Sequence, residues 1–210
     1  MSQTKFKQLL VEGNDDMHVV LALCEKFNLK ENFDIINLEG IDTLLKNIPV
    51  RLKTDNLETL GIIIDADKNI SAQWEKLKKI FANSGYATDG ILSLDGFIQK
   101  NPDGIKIGVW IMPNNHLPGM LEDFIKFLIP PDDKLMSVVQ AHLENIEENN
   151  LNKYNKEIYK SKALVHSWLA VQENPGTPLG QSITKKYLTT DSETCSIFIN
   201  WLKELYEDEN

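Results

Sequence analysis

Apolar and polar residues alternate in two distinct patterns along the first half of the chain. Short apolar runs end at polar or glycine-containing turns, which is typical of buried strands. Between these runs the apolar residues recur every three or four positions, as Val19, Leu23 and Phe27 do, and this spacing predicts helices. Alternating strands and helices favour a mostly parallel sheet with helices on both faces. The predicted strands cover residues 6–11, 33–38, 60–64, 91–94 and 105–112, and a helix is predicted over residues 71–83.

The pattern becomes helical throughout after Pro113. No long Gly/Ser linker separates this part from the strands, so we expect it to pack on the sheet. The sequence therefore predicts an α/β domain over residues 1–130 and a helical C-terminal extension over residues 131–210. The predicted helices cover residues 118–129, 133–148, 155–172, 179–188 and 193–206.

Acidic residues stand where two of the predicted strands end. Glu12 closes the first apolar run, and Asp65 and Asp67 follow the aliphatic run of residues 60–64. The carboxyl ends of parallel strands share one edge of a sheet, so these three side chains are expected to meet there. Carboxylates brought together repel one another, and a hard divalent cation such as Mg²⁺ or Mn²⁺ relieves that repulsion. Asp15 or Asp16 is a further candidate ligand.

A purely structural interpretation explains each motif taken singly. Glu12 to Asp15 reads as a strand-to-helix turn with a capping Asp, and Asp65 and Asp67 read as the start of a surface loop. Two acidic strand ends in the same sheet favour metal binding over that interpretation.

The overall composition is that of a globular protein, with 42% hydrophobic and 25% charged residues. Its net charge of −9 argues against binding nucleic acid over the whole surface, because phosphate neutralisation by Lys and Arg supplies most of such affinity. Any contact with nucleic acid is expected to be local, bridged by metal or assisted by a partner. The apolar runs are too short to span a bilayer and no secretory signal is recognisable, so we expect a cytoplasmic protein without membrane association.

The two acidic motifs together resemble the Toprim family, in which a Glu closes the first strand and Asp-x-Asp closes a later one. Here they read LLVEGNDD (Leu9 to Asp16) and LGIIIDAD (Leu60 to Asp67), and the resemblance covers roughly residues 5–125. The stretches at residues 108–125 and 161–180 are similar to a small Toprim-related family of undefined activity. The wider resemblance, to topoisomerases, primases and overcoming-lysogenisation-defect nucleases, implies Mg²⁺-dependent phosphodiester chemistry.

Three further residues are candidates for the same site. Glu122 and Asp123 open a predicted helix, where acids interact favourably with the helix dipole; by resemblance to the overcoming-lysogenisation-defect nucleases they would complete a second metal site. Lys162 lies at the edge of the apolar face of its helix, so it either extends to solvent or meets a carboxylate. A lysine at the acidic cluster would stabilise charge on a phosphoryl group.

These observations favour a Toprim-type nuclease acting on DNA or RNA, with Glu12 as general base or metal ligand. The chain shows neither the basic template surface of a primase nor a separate DNA-gripping region of a topoisomerase. A receiver-like regulatory domain is a rival, although Glu-Gly and Asp-x-Asp differ from its acidic pattern. The other alternative is a non-catalytic module that binds metal or nucleotide and acts with a partner ATPase or another protein.

Overall fold

A five-stranded sheet lies at the centre of the fold, and a computed structural model describes it with the rest of residues 6–207. The strands are β1 (Phe6–Val11), β2 (Asp34–Asn37), β3 (Leu57–Asp65), β4 (Phe97–Lys100) and β5 (Lys106–Met112). Their order in the sheet is β2-β1-β3-β5-β4. β1 pairs in parallel with β2 and β3, and β3 pairs in parallel with β5, whereas β4 is antiparallel to β5. The predicted mostly parallel sheet is confirmed.

Helices flank both faces of this sheet. Leu9 of β1 and Ile63 of β3 belong to one hydrophobic cluster, while Leu10 and Ile62 belong to another. Successive side chains of a strand point to opposite faces, so the two clusters are the two sides of the sheet. The helices are α1 (Asn14–Lys26), α2 (Ile41–Leu52), α3 (Ile70–Asn83), α4 (Leu121–Lys126), α5 (Lys134–Glu148), α6 (Lys156–Ala170), α7 (Leu179–Thr184) and α8 (Glu193–Tyr206).

The two faces are covered by helices from different parts of the chain. Helices α2 and α3 pack on the second cluster, whereas α1 and the helices after β5 pack on the first. The helical residues after position 130 therefore share a hydrophobic core with β1, β3 and β5. The α/β architecture with a helical C-terminal segment agrees with the sequence analysis.

Helix α8 lies close against the sheet because two neighbouring strands carry glycine beneath it. Gly61 of β3 and Gly108 of β5 are paired in register, and a Cβ at Gly108 would lie 2.5 Å from Cδ2 of Leu205. The hydroxyl of the fully buried Tyr206 donates a hydrogen bond of 2.7 Å to the carbonyl of Gln8 in β1. The last turn of α8 thus contacts three adjacent strands.

One strand prediction is wrong. Residues 91–94 form no strand; Ile91 is 84% exposed and Leu94 56% exposed. A turn closed by Gly96, whose φ is +87°, follows them, and the edge strand β4 begins only at Phe97. Apolar residues without a partner strand or a covering helix do not form a sheet edge.

Two helix predictions are too long. The helix predicted over residues 118–129 is α4, which spans only Leu121–Lys126, and the helix predicted over residues 179–188 ends at Thr184. Both segments continue as turns, in which a backbone N–H bonds to the carbonyl three residues earlier, as Leu128 does to Ile125. Within residues 6–207 no helix has the length and apolar character needed to cross a membrane.

The contact between Gly61 and α8 can be tested by adding one methyl group. In Gly61→Ala the new Cβ would collide with the Tyr206 hydroxyl and approach Leu9 Cδ1 at 2.7 Å. Overpacking of this kind costs about 1–3 kcal/mol, so we expect the free energy of unfolding in urea to fall by that amount. Ser71→Ala, at an exposed position of α3, is the control and should change it by less than about 0.5 kcal/mol. Equal stability of Gly61→Ala and wild type would contradict this close approach.

Candidate functional site

Two carboxylates meet at the carboxyl edge of β1 and β3. Glu12 follows the last residue of β1, and Asp65 is the last residue of β3. The two strands are neighbours, and the backbone N–H of Asp65 donates a hydrogen bond of 2.7 Å to Oε1 of Glu12. The structure therefore brings the two acidic motifs of the sequence into direct contact.

The loop after β3 is attached to the start of α4. The N–H of Asp67 bonds to the carbonyl of Gly119 at 2.9 Å, and the N–H of Gly119 bonds back to the carbonyl of Asp67 at 2.8 Å. Oδ1 of Asp65 accepts the N–H of Leu121, the first residue of α4, at 3.0 Å. Asp67 has a left-handed φ of +51°, and its Oδ2 accepts a hydrogen bond of 3.1 Å from the side chain of Gln73. These bonds hold Asp67 at the rim, where it is exposed, while Asp65 lies deeper.

Asp16 joins the cluster from the first turn of α1. Its side chain is only 9% exposed, and its Oδ2 accepts the N–H of Gly13, the N-cap residue, at 3.0 Å. Burial is the main reason that the pKa of Asp16 is raised, and the negative charges of Glu122 and Asp15 raise it further. Asp15 itself is exposed. Of the two acids considered in this turn, Asp16 is therefore the one buried at the cluster.

Glu122 faces the cluster but already has two side-chain partners, Lys162 and His166. Its carboxylate is almost fully buried, with Oε1 3.0 Å from Nζ of Lys162 and 3.5 Å from Nε2 of His166. Burial acts to raise the pKa of Glu122, but the hydrogen bonds from His166 and Lys162 outweigh it and leave the pKa below its ordinary value. Lys162 is thus held at the acidic cluster through Glu122, and it also lies within electrostatic range of Asp65.

Asp123 is occupied differently from its neighbour. Its Oδ2 accepts the N–H of Met120, the N-cap of α4, at 3.1 Å, and its Oδ1 accepts hydrogen bonds from Ser161 and Lys126. Because Ser161 belongs to α6, Asp123 caps α4 and ties it to α6. Glu122 and Asp123 are adjacent acids that the sequence does not distinguish. In the structure Glu122 faces the carboxylate cluster, whereas Asp123 holds α4 and α6 together.

Three carboxyl groups have strongly raised pKa values. Burial, the largest cause in each case, together with repulsion from neighbouring acids raises the pKa of Glu12 to about 7, of Asp16 to about 6 and of Asp65 to about 9. The charges of Asp16, Glu12, Glu122 and Asp67 all contribute to the shift of Asp65. Either protons or a cation must compensate this concentration of negative charge.

The donor set suits a hard cation, although the ligands are not already gathered around one point. Within residues 6–207, no three His, Cys, Asp or Glu side chains are arranged to hold a metal ion. Glu12 and Asp65 each use one oxygen to accept a backbone N–H, and no described residue bonds to the second oxygen of either. Oxygen-only donors of this kind match the preference of Mg²⁺ and Mn²⁺. A cation would have to draw the side chains together.

Three residues near the cluster are absent from the sequence analysis. His166 contacts Glu122, Gln73 donates to Asp67, and the charge of Lys76 lowers the pKa of Glu12. His166 stands four residues after Lys162 and so shares its helix face, which is the signal that could have identified it. Gln73 and Lys76 lie on α3, and only the path of the chain after Asp67 brings them to the site.

Comparison with known proteins yields one match. A family model described as "Protein of unknown function (DUF3226)" matches residues 6–207. No curated protein and no solved structure matches the chain. The chemistry of the site must accordingly be inferred from its own residues.

The raised pKa values predict a pH dependence of stability in metal-free protein. The pKa of Asp65 is about 9 in the folded state and 3.8 ordinarily, so the folded state holds a proton over this range that the unfolded state has lost. The stabilising contribution of that proton is complete below the ordinary value and disappears as the pH rises through the folded value. In EDTA, the urea midpoint of wild type should fall between about pH 5 and about pH 9 more steeply than that of Asp65→Asn, which keeps the acceptor for Leu121.

The control for this measurement is Asp55→Asn, at an exposed turn. It should show the same pH dependence as wild type. A wild-type midpoint that rises with pH over this range, or an Asp65→Asn curve parallel to that of wild type, would be inconsistent with the burial of these acids as free carboxyl groups.

Proposed function

The chain belongs to the family described as "Protein of unknown function (DUF3226)", and we propose that it acts as a Toprim-type nuclease that performs Mg²⁺- or Mn²⁺-dependent phosphodiester chemistry on nucleic acid. The observation that carries this proposal is the group of buried acids at the carboxyl edge of β1 and β3. Burial and mutual repulsion raise the pKa of Asp65 to about 9 and that of Glu12 to about 7. Perturbed acids at such an edge are typical of functional sites.

Glu12, Asp65 and Asp67 would hold the cation, with Asp16 as a further ligand. A bound Mg²⁺ or Mn²⁺ supplies Lewis-acid polarisation of a phosphoryl oxygen and activation of water. In its alternative role Glu12 leaves the cation to the aspartates and accepts a proton from the attacking water as general base. Lys162 brings a positive charge to the edge of the cluster, where it would stabilise charge that develops on a phosphoryl group.

The order of the two acidic motifs, as in Toprim proteins, supports phosphodiester chemistry in general. The nuclease is favoured within that class because the sequence shows neither the basic template surface of a primase nor the separate DNA-gripping region of a topoisomerase. The proposal includes a cytoplasmic location and DNA or RNA as substrate. A partner ATPase or another protein would supply substrate grip that an acidic chain lacks.

A second candidate function is a non-catalytic module that binds metal or nucleotide and regulates a partner. One observation favours it: Glu122 already forms an ion pair with Lys162 and contacts His166, and Asp123 caps α4. A two-metal clamp, which stabilises both the attacking and the leaving oxygen, would need one of these acids to be released. The two candidates differ in whether cleavage occurs, which the experiments below measure.

Metal binding is the first expectation to test. Because a ligand that binds only the folded state stabilises it, Mg²⁺ or Mn²⁺ at 100 times its Kd should add about 2.7 kcal/mol to the free energy of unfolding. The thermal midpoint of wild type should rise with either ion, and Asp65→Ala/Asp67→Ala should lose this increment. Asp55→Ala/Asp89→Ala, which removes two exposed acids elsewhere, should retain it. Stabilisation by Zn²⁺ but by neither Mg²⁺ nor Mn²⁺ would show that the ligand assignment is wrong.

Cleavage is the second expectation. Wild type with Mn²⁺ should nick plasmid or cut single-stranded DNA. Glu122→Gln should lower the rate by at least ~10- to 100-fold, as loss of a supporting group at a metal site does. Asp123→Asn should have a smaller effect, because its carboxylate serves α4 and α6 rather than the cluster.

Both substitutions preserve side-chain size, and thermal melting of each variant checks that the fold is intact. Asp65→Ala supplies the background rate from contaminating nucleases. If wild type cuts neither DNA nor RNA faster than Asp65→Ala in Mg²⁺ or Mn²⁺, the stand-alone nuclease proposal fails. The regulatory module, or an enzyme that requires its partner, then becomes the leading account.

A further inference from the structure

A cavity of about 810 Å³ opens beside the carboxylate cluster, between α3 and α6. Asp67 and Gln73 line it next to the carboxylate cluster, and Asp123 of α4 and Ser161 of α6 also line it. Asp67 is therefore shared between the cavity and the candidate metal site. A molecule bound in this cavity would have one end beside the acids.

Lysines outnumber acids in the lining of this cavity, four to three, although the protein as a whole is acidic. Four lysines line it, in a chain that has 22 Lys and Arg residues and a net charge of −9. Two of the three acids that line it pair with lysines, Glu157 with Lys68 at 3.2 Å and Asp123 with Lys126 at 3.3 Å, while Asp67 accepts a hydrogen bond from Gln73. Lys160 forms an exposed ion pair with Glu147 at 3.1 Å, which a phosphate would have to replace. The lysines are Lys68, Lys76, Lys156 and Lys160.

Two helix N-termini add to this charge. Asn69 and Ala72 of the first turn of α3 line the cavity, as do Lys156 and Glu157 of the first turn of α6. Each N-terminus carries a partial positive charge from the aligned peptide dipoles. Lysines and helix N-termini around one cavity form a site for anions such as phosphate groups.

An aromatic side chain stands at the same cavity without serving the core. Tyr159 is 45% exposed, whereas Trp168 on the same helix is fully buried. Exposed aromatic rings beside basic groups are the usual platforms on which unpaired bases stack. The combination of phosphate-binding lysines and a stacking ring matches a polynucleotide strand better than a free phosphate.

We infer that this cavity binds a single strand of DNA or RNA and leads it to the carboxylates, an inference that rests on the proposed nuclease function. Lys68, Lys156 and Lys160 contact the phosphates of the strand, and Tyr159 stacks on a base. Stacking on the ring of Tyr159 requires a base whose face is free, so the site takes an unpaired strand in preference to a duplex. The substrate class is accordingly single-stranded or frayed nucleic acid.

The test measures binding in EDTA, so that it does not depend on metal or cleavage. A fluorescent single-stranded oligonucleotide is titrated with the full chain at several salt concentrations. Lys68→Ala/Lys156→Ala/Lys160→Ala should weaken binding at least about tenfold and reduce the slope of log K against log salt by about 2, since each phosphate contact on a single strand contributes about 0.7. The matched control removes three exposed lysines elsewhere, Lys46→Ala/Lys79→Ala/Lys185→Ala, and should bind like wild type.

Stacking is tested separately at Tyr159. Tyr159→Ser should weaken binding at least about fivefold, whereas Tyr159→Phe, which keeps the ring, should not. Wild type should bind the single strand more tightly than a duplex of the same sequence, and more tightly than a mononucleotide. The inference is overturned by any one of three results: no binding by wild type, equal affinity for duplex or mononucleotide, or equal losses in the lysine variant and its control.

Cleavage assays separate this inference from the proposed function. If wild type binds the strand through these lysines but cuts nothing in Mn²⁺, the nuclease proposal fails and the binding site stands. If wild type cuts and the lysine variant cuts with the KM of the control, the binding site fails and the nuclease proposal stands.

Discussion

Burial of negative charge at one edge of the sheet is the constraint on which the site depends. Carboxylates taken out of water are costly unless they are paired or hydrogen-bonded. The chain meets part of this cost with backbone N–H groups: Asp65 donates to Glu12, Leu121 to Asp65 and Gly13 to Asp16. The first two bonds also join separate segments, so the ends of β1 and β3 and the start of α4 are held together by the acids themselves, while the third caps α1.

The remaining charge is compensated unevenly. Glu122 has an ion pair with Lys162 and a hydrogen bond from His166, whereas neither Glu12 nor Asp65 has a basic side chain within contact distance among the described residues. Burial and, after it, repulsion between the acids raise the pKa of both Glu12 and Asp65. The edge therefore has one acid with side-chain partners, Glu122, and two acids without them, Glu12 and Asp65, and a cation gains most at these two.

Much of the fold follows from local patterns. The aliphatic run that becomes β3 is buried on both faces of the sheet. A continuous apolar run of this kind identifies a central strand without knowledge of its neighbouring strands. The sequence does not predict strand β4 (Phe97–Lys100), because it is a short strand at the edge of the sheet. The nearby run that contains Ile91 and Leu94 is more apolar and draws the prediction to residues 91–94. Only the tertiary structure shows that those two side chains have nothing to pack against.

The sequence predicts the part of the site that is formed by the ends of parallel strands. Glu12 and Asp65 meet because parallel neighbours share an edge, which the order of elements already implies. The different environments of Glu122 and Asp123 were not predictable, because adjacent residues of one helix turn differ only in what the rest of the chain places beside them. For the same reason the sequence predicts Lys162 as a site residue without identifying Glu122 as its partner, and it does not predict His166 as a site residue.

The contacts between β1 and the end of α8 have a consequence for folding during synthesis. Tyr206 bonds through its hydroxyl to Gln8, and its carbonyl accepts hydrogen bonds from Lys7 and Asn32. The first of these contacts spans 198 residues. At ribosomal rates of about 5–20 residues per second, roughly 10–40 s pass between the synthesis of β1 and the synthesis of the end of α8 that covers it. During translation the nascent chain thus exposes apolar strands that the finished protein never shows, and chaperones have that interval in which to bind it.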